Sequence, residues 1–285
     1  MYSVEVCMFK RYPKFIVLGV AALAVFFYWQ NNDITVTNID FKSEKVTDGF
    51  EGYKILQVSD LHNKRFGKGQ KGLVEITEQI GPDMIVITGD VIDSRRTNVK
   101  KALEYADKAV EIAPVYFIPG NHESRVDEYL QLKDGFIKSG VKVLDNKTEE
   151  IFINNESISL IGMNDLTLFD SENTKQSYEI VLKNLVNESD DGLKILLSHR
   201  PELLDVYVRQ SLDLVFTGHA HGGQIRLPFI NGIFAPGQGI LPKYTSGVYK
   251  QGKTNMIVSR GLGNSLFPFR VFNRPELIVT TLSSN

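Results

Sequence analysis

Length, composition and charge already exclude several classes of protein. The chain has 285 residues, 42% of them hydrophobic and 23% charged, which is the composition of an ordinary globular protein. Its formal net charge of −2 gives no general basic surface, so we expect no nucleic-acid partner. Because Cys7 is the single cysteine, the rest of the chain has no disulfide, no thiolate nucleophile and no thiolate metal ligand.

The first predicted element is an apolar run over residues 15–29, which three basic residues precede. Tyr28 and Trp29 close the run, and basic flank, apolar stretch and aromatic boundary are typical of a membrane segment with a cytoplasmic N-terminus. A span needs about 20 residues, with a minimum of roughly 17, and the range 12–30 satisfies that length. A cleaved signal peptide and a buried helix are the alternatives, but no small-x-small cleavage site follows the run. We therefore predict an uncleaved, single-pass anchor.

The predicted organisation has four parts. They are a cytoplasmic N-terminus at 1–14, a transmembrane anchor at 15–30, a linker at 31–50 and one folded domain at 51–285. The basic residues lie before the anchor, so we expect the folded domain on the extracytoplasmic side of the cell membrane. Nothing in the sequence indicates a protein partner.

Strand and helix patterns alternate through the domain. After an extended piece at 34–41, strands are predicted at 53–59, 84–88, 115–118, 194–197, 212–217, 256–259 and 276–281, with a hairpin at 151–161. Helices are predicted at 70–80, 99–112, 124–139, 175–187 and 202–210. This alternation predicts an α/β fold built on a sheet of short, mostly buried strands.

Polar side chains follow five of these strands, each at the point where the strand ends. They are Asp60 and His62, then Asp90 and Asp93, then Asn121, His122 and Glu123, then His199, then His219 and His221. In open α/β sheets, ligands bind in the crevice outside the carboxyl ends of the strands. All five histidines of the chain therefore fall at strand ends of one predicted sheet.

The residue types of this set indicate a metal centre. Imidazole combined with carboxylate and amide oxygen suits divalent Mn, Fe or Zn, and the lack of thiolate argues against a structural zinc. Seven candidate ligands are too many for one ion that keeps an open position: Asp60, His62, Asp90, Asn121, His199, His219 and His221. They suit two ions about 3.5–4 Å apart that share a bridging carboxylate, an arrangement that promotes displacement at phosphorus.

The ordered motifs D-x-H, G-D-x-x-D, G-N-H-[DE], a lone H and G-H-x-H resemble those of the calcineurin-like metallophosphoesterase superfamily. The resemblance covers roughly residues 51–281 and implies a two-sheet αββα sandwich preceded by one transmembrane helix. The anchor and the segment HGGQIRLP resemble a bacterial membrane-anchored branch similar to lipid-sugar pyrophosphatases.

The resemblance also implies roles for the motif residues. The first metal would be bound by Asp60, His62, Asp90 and His221, and the second by Asp90, Asn121, His199 and His219. A metal-bound hydroxide would be the nucleophile, with Asp90 bridging the ions. His122 would either protonate the leaving oxygen or stabilise its charge. Asp93 and Glu123 would orient the ligands.

Four arginines near the motifs are candidates for contact with a phosphoryl group, because guanidinium is a natural partner of phosphate oxygens. They are Arg95, Arg96, Arg125 and Arg200. We expect one of them to contact substrate and the others to be surface residues. The resemblance would place an arginine at position 94, where this chain has Ser94.

Two apolar stretches, 226–249 and 266–269, allow two interpretations. They form either core hairpins or an apolar rim beside the metals that meets lipid.

The predicted function is hydrolysis of phosphoester bonds with two divalent ions, Mn, Fe or Zn. The bond that we expect it to cleave is a phosphodiester or pyrophosphate bond of a lipid-linked or envelope substrate. A phosphorylated small molecule is also a possible substrate. A phosphomonoesterase and a non-catalytic scaffold on the same fold are the alternatives.

Overall fold

Helices and strands alternate along the described residues of this computed structural model, which are 12–169, 173–227, 229, 231–265 and 267–285. The helices are α1 (Tyr12–Asn32), α2 (Lys71–Ile80), α3 (Val99–Ala109), α4 (Tyr129–Ser139), α5 (Thr174–Glu188) and α6 (Leu204–Arg209).

The strands belong mainly to two six-stranded sheets. In chain order they are β1 (Thr35–Lys42), β2 (Lys54–Val58), β3 (Met84–Thr88), β4 (Val115–Ile118), β5 (Lys142–Val143), β6 (Lys147–Ile153), β7 (Glu156–Gly162), β8 (Leu193–Leu197), β9 (Leu214–Thr217), β10 (Phe234–Ala235), β11 (Gly239–Ile240), β12 (Gly247–Gln251), β13 (Thr254–Val258) and β14 (Glu276–Ser283). The first sheet has the order β1-β14-β2-β3-β4-β5, the second β12-β13-β9-β8-β7-β6, and β10 pairs with β11.

Side-chain alternation along the central strands creates a four-layer sandwich. On β2, Ile55 points into the cluster between the sheets, whereas Leu56 points into the cluster beneath α2, α3 and α4. The second sheet packs its outer face against α5 and α6, through residues such as Leu196 and Leu182. The αββα sandwich implied by the resemblance is therefore confirmed, and its central strands are apolar on both faces because both faces are covered.

Most predicted elements are present with shifted ends. The strands predicted at 84–88 and 115–118 coincide with β3 and β4, and the predicted hairpin is the antiparallel pair of β6 and β7 around Asn154. The prediction of a helix at 124–139 is wrong for residues 124–128. A 3-10 turn at Glu123–Arg125 ends in extended backbone at Val126, with φ −133°, and α4 begins only at Tyr129. Strands β5, β10, β11 and β12 were not predicted.

The stretch 31–50, predicted as a linker, contributes an edge strand to the first sheet. Strand β1 pairs in parallel with β14, from Thr35 opposite Glu276 to Lys42 opposite Ser283. This pairing joins β1, the first strand after α1, to β14, the last strand of the chain. Helix α1 is therefore connected to the sandwich by only two residues.

Helix α1 is long and apolar enough to cross a membrane, by length and composition. The stretch Phe15–Asn32 has a mean hydropathy of 1.4, and 11% of it is buried. At about 1.5 Å per residue, the 21 residues of α1 extend roughly 31 Å, close to the thickness of a bilayer core. Its outer turns, including Phe15 and Leu18, are exposed on the protein.

The last turns of α1 pack on the loop that precedes β14. Phe27 lies 5.4 Å from Phe269, measured between ring centroids, and Phe26 lies 5.6 Å from Phe272. Asn31 Oδ1 accepts a hydrogen bond of 2.9 Å from the backbone N–H of Arg270. The end of α1 is thereby attached to the same loops that border the strand-end residues.

Candidate metal centre

Both sheets contribute to the cluster of polar strand-end residues. The sequence pattern predicts that all these strand ends belong to one sheet, and this prediction is wrong. Strands β2, β3 and β4 belong to the first sheet, whereas β8 and β9 belong to the second. The two edges are joined by Gln57, whose Nε2 donates to Thr88 Oγ1 and to the carbonyl of Thr217, each at 2.9 Å. The carboxylates therefore come from the first sheet and three of the histidines, His199, His219 and His221, from the second.

The backbone at these strand ends is unusual. Asp60, His62, Asp90, His219 and His221 all adopt left-handed φ values, between 47° and 64°. Such a conformation costs an L-residue roughly 1–2 kcal/mol and is concentrated at functional sites. The turns at these residues bring the side chains together at the carboxyl ends of the strands.

The first group of side chains converges around two facing imidazoles. His62 Nε2 lies 3.2 Å from His221 Nε2, and His221 Nε2 lies 3.5 Å from Asp60 Oδ1. Asp90 Oδ2 lies 3.7 Å from His62 Nε2. All four side chains are buried, and their ligand atoms lie within 4.8 Å of one another.

The second group is built in the same way. His199 Nε2 lies 3.2 Å from His219 Nδ1, and the same His199 nitrogen lies 3.2 Å from Asp90 Oδ2. Asn121 Oδ1 is buried without a hydrogen-bond partner among the described residues, so its oxygen is available as a ligand. Asp90 Oδ2 thus belongs to both groups, which is the position of a bridging carboxylate.

The donor set fits two divalent ions. Two imidazole nitrogens bound to one ion at about 2.1 Å lie about 3.0–3.4 Å apart, which matches both histidine pairs. Burial lowers the pKa of His62 to about 3 and holds the pKa values of His219 and His221 well below the ordinary value. These imidazoles are therefore neutral, as metal ligation requires.

His199 is the exception within the donor set. Burial acts against its charge, but Asp90 raises its pKa to about 10. Its Nδ1 lies 2.8 Å from the carbonyl of Thr88, so Nε2 is left to face the metal site. Binding of an ion at Nε2 would release the second proton of the imidazolium.

Glu123 holds the loops of the first sheet together beneath the ligands. Its carboxylate accepts backbone hydrogen bonds from Gly120 at 2.7 Å, from Asp90 at 2.8 Å and from Ile92 at 3.1 Å. Burial, with the nearby Asp90 charge, raises the pKa of Glu123 to about 7. Glu123 therefore fixes the backbone on both sides of Asp90, the position of an orienting residue.

Two motif glycines are required by the close approach of the ligands. A Cβ atom on Gly120 would collide with the Asp90 carboxylate, and one on Gly218 would collide with Asp60 and Ser59. Ser59 Oγ donates a hydrogen bond of 2.6 Å to Asp60 Oδ2, on the side away from His221. The glycines that flank the motif residues thus leave room for carboxylates.

The comparisons with known proteins agree with this geometry. The profile described as Calcineurin-like phosphoesterase matches residues 53–223, which span β2 to the turn after β9. The chain belongs to the calcineurin-like phosphoesterase family.

Two relatives and one solved structure are similar over most of their lengths. A Bacillus subtilis protein, "Uncharacterized metallophosphoesterase YkuE", is 32% identical over 90% of this chain and 88% of its own. The Escherichia coli protein "Phosphodiesterase YaeI" is 31% identical over 82% of this chain and 84% of its own. The crystal structure of the Thermus thermophilus protein TT1561 has a TM-score of 0.51 at 14% identity, over 74% of this chain and 90% of that one. The last likeness concerns the fold.

His122 of this phosphoesterase lies beside the two groups of candidate metal ligands and belongs to neither group. Its Nε2 lies 4.0 Å from Asp90 Oδ2, and its ring lies 4.5 Å from that of His62. The backbone N–H of Ser94 donates a hydrogen bond of 3.0 Å to His122 Nδ1. Because Nδ1 is an acceptor there, the proton of the neutral imidazole is on Nε2 and points toward the ligands. Burial lowers the pKa of His122, which favours that neutral form.

Two of the four candidate arginines are held in salt bridges. Arg95 makes a bidentate pair with Asp93, with nitrogen–oxygen distances of 3.0 and 2.9 Å. Arg200 makes a bidentate pair with the buried Asp165, at 2.7 and 3.0 Å. Their charges are therefore largely neutralised within the phosphoesterase itself, and Asp93 is a partner of Arg95 as well as a neighbour of His122.

Arg125 is the arginine that remains unpaired at the metal centre. A cleft of about 250 Å³ opens there, and Arg125 lines it together with His122 and Asn121. Its side chain is exposed and forms no salt bridge within the described part of the chain. Arg96 is also exposed but lines a different cavity, beside α1.

Three residues near the site were not predicted from the sequence. Asp165 neutralises Arg200, and Glu202 Oε1 lies 4.0 Å from His219 Nε2. Ser94 supplies the N–H that sets the tautomer of His122. Asp165 follows the end of β7 by three residues, so its strand-end position was a usable signal.

The apolar stretches are divided between core and surface. Tyr244 and Ala235 are buried against the second sheet, whereas Phe229, Ile240 and Leu241 are exposed. The core interpretation is therefore confirmed for part of the stretch 226–249, and the apolar rim that meets lipid stays a prediction for its exposed residues. Of the predicted apolar residues, Ile230 and Leu266 lie outside the described residues.

Proposed function

We propose that this chain is a membrane-anchored, two-metal phosphoesterase that hydrolyses phosphodiester or pyrophosphate bonds of a lipid-linked or envelope substrate. The position of Asp90 carries the proposal. One oxygen of one carboxylate lies 3.7 Å from His62 in the first ligand group and 3.2 Å from His199 in the second. A carboxylate shared in this way serves two neighbouring ions rather than one.

The residues of the chain would hold and complete the reacting centre. Asp60, His62, Asp90 and His221 would hold one ion, and Asp90, Asn121, His199 and His219 the other. When bound, such ions polarise phosphoryl oxygens and lower the pKa of water.

His122 and Arg125 would act on the phosphoryl group itself. The Nε2–H of His122 would donate a hydrogen bond to the leaving oxygen as negative charge develops there. Of its two expected roles, stabilising charge fits the hydrogen bond from Ser94 better than proton donation does. Arg125, exposed and unpaired at the cleft, would contact a non-bridging oxygen.

A diester-type substrate is supported by the similarity to a protein named as a phosphodiesterase, YaeI.

The expected result is that the full chain, purified in detergent, stripped of metal and reloaded with Mn, Fe or Zn, hydrolyses an aryl phosphodiester. We expect its kcat/KM for the diester to exceed that for the matching aryl monoester by about tenfold or more. A preference for the monoester would replace this proposal by a phosphomonoesterase. A protein that binds two metals and turns over neither ester would support the scaffold alternative.

The membrane part of the proposal depends on α1 and on the basic residues before it. With Lys10, Arg11 and Lys14 on the cytoplasmic side, the catalytic domain would lie outside the membrane. A protease added to intact cells is expected to digest the domain, while a cytoplasmic marker protein survives. If the domain is digested only after the membrane is permeabilised, the orientation is the reverse.

A further inference from the structure

A second and larger cavity lies between α1 and the loops of the metal centre. It has a volume of about 710 Å³, and we call it the α1 groove. Six of its lining residues determine its character: Ala24, Phe27 and Tyr28 of α1, and Lys64, Arg96 and Lys101 of the catalytic domain. His62, a metal-ligand candidate with a buried side chain, also lines it, so the groove borders the metal centre on the side of α1.

The domain side of the α1 groove is basic. Arg96 and Lys101 form no salt bridge with any carboxylate in the described part of the chain. Asp93, the acidic side chain in the lining, is already paired with Arg95. Lys64 donates a hydrogen bond to the carbonyl of Asn31 at the end of α1, and no carboxylate within the described residues compensates its charge. Burial lowers the pKa of Lys64 to about 7, so its charge is partial near neutral pH. An anionic group in the groove would therefore meet the two cations Arg96 and Lys101, a partly charged Lys64 and little opposing charge.

The other side of the α1 groove is apolar and continues along the helix. Phe27 and Phe269 pack on each other at its wall, yet Phe269 remains 57% exposed. Beyond Ala24, the outer turns of α1 expose apolar side chains that belong to the candidate membrane span. The apolar wall of the groove thus continues along α1 toward the candidate membrane span.

Buried polar contacts fix the position of α1 against the domain, so the groove has a defined shape. Asn31 Oδ1 accepts hydrogen bonds from Arg270 N at 2.9 Å and from Asn264 Nδ2 at 3.0 Å. Gln30 Oε1 accepts one from the backbone N–H of Asn273 at 3.2 Å. Arg270 is itself buried and donates to the carbonyl of Gly263, next to the loop that follows β13. A helix that served only as a tether would not need these contacts.

We infer that the α1 groove is a binding site for a lipid diphosphate, whose tail lies along α1 while one phosphate meets Lys64, Arg96 and Lys101 and the other enters the metal centre. The inference rests on the proposed function and specifies its substrate class. It makes α1 part of the substrate site as well as an anchor. A soluble phosphodiester would use the cleft at Arg125 and leave the α1 groove unfilled.

The test measures binding to the full chain in a non-ionic detergent, with protein-free micelles as background. The probes are geranylgeranyl diphosphate and inorganic pyrophosphate, which share the diphosphate and differ in the tail. We expect Ala24→Trp, which fills the apolar side, to raise the Kd of the lipid probe about tenfold or more and leave that of pyrophosphate unchanged. Ala22→Trp is the matched control, because residues two apart lie about 200° apart on a helix and Ala22 does not line the groove.

The basic side is tested with the double variant Arg96→Ala/Lys101→Ala. We expect it to raise the Kd of geranylgeranyl diphosphate about 100-fold, since it removes two charge-assisted hydrogen bonds and each contributes a factor of about ten. Lys100→Ala is the matched control, because Lys100 is exposed, adjacent and outside the lining.

The outcomes separate this inference from the proposed function. If wild-type protein binds both probes equally, or if Ala24→Trp and Ala22→Trp behave alike, the α1 groove is not a lipid site, whatever the turnover of the aryl diester. If the lipid probe binds as expected and no ester is hydrolysed with two metals bound, the lipid site stands and the proposed hydrolysis fails.

Discussion

Replacement of Asp90 by asparagine is expected to abolish turnover and to weaken both metal sites at once. Asp90 Oδ2 is the atom common to both ligand groups, 3.7 Å from His62 Nε2 and 3.2 Å from His199 Nε2. In the variant, the amide oxygen can still accept the 2.8 Å hydrogen bond from the backbone N–H of His122, which places the amide nitrogen where Oδ2 was. An amide N–H cannot bind an ion, and it would point toward His199.

The magnitude follows from the loss of metal assistance. Two ions supply several kcal/mol of transition-state stabilisation, so we expect kcat/KM for an aryl diester to fall by about 10³-fold or more. Metal content, measured by mass spectrometry after dialysis, should fall at both sites rather than at one.

Asp127→Asn is the control, since Asp127 is exposed and forms no salt bridge with any described residue. We expect it to keep both metals and most of the turnover. An Asp90→Asn protein with undiminished turnover, or with one site emptied and the other intact, would contradict the bridging role.

Removal of the His122 side chain is expected to lower the rate while both metals stay bound. His122 Nε2 lies 4.0 Å from Asp90 Oδ2, and no described ligand group includes it. Loss of a donor that acts on the developing charge typically reduces the rate by about 10²–10⁴-fold, so kcat of His122→Ala should fall within that range.

A second variant distinguishes the two expected roles of His122. Glutamine carries an N–H donor of similar reach but cannot supply a proton. If His122 acts as a hydrogen-bond donor, as the hydrogen bond from Ser94 to Nδ1 indicates, His122→Gln should recover part of the rate lost in His122→Ala. Equal rates for the two variants would favour proton donation. A His122→Ala protein that loses metal would show instead that His122 is a ligand.

The site could be predicted to a large extent because its residues follow local rules. Short apolar runs predict buried strands, and polar residues directly after them meet at the carboxyl edge of a parallel sheet. Asp60 and Asp90 follow two neighbouring parallel strands, β2 and β3, so their proximity needs little long-range information.

The pairing of β8 and β9 could not be predicted in the same way. In the sequence, β8 and β9 have the same apolar pattern as β3 and β4. In the structure, however, β8 pairs with β7 and β9 pairs with β13, in a separate sheet. Which sheet a strand joins depends on contacts between segments that no local sequence pattern relates. One such contact is the hydrogen bond of Gln57 to the carbonyl of Thr217.

The arginines illustrate a second limit. Proximity to the motifs made Arg95 and Arg200 candidates for substrate contact, yet Asp93 and Asp165 pair with them. Asp165 is 35 residues from Arg200, so a neighbour that neutralises its charge is invisible to local reasoning. Of the three arginines that line the cleft, Arg125 is the one without a carboxylate partner among the described residues.

Local sequence patterns are sufficient for the chemistry of this protein: the donor types, their order at strand ends, the family, and an apolar helix before the domain. These features depend on side-chain chemistry and on short-range periodicity, and both can be recognised in the local sequence. The assignment of each strand to one of the two sheets, and the contact of Asn31 of α1 with Arg270, 239 residues away, depend on the tertiary structure. That contact shapes the α1 groove, and it arises from the packing of distant segments, which no local pattern specifies.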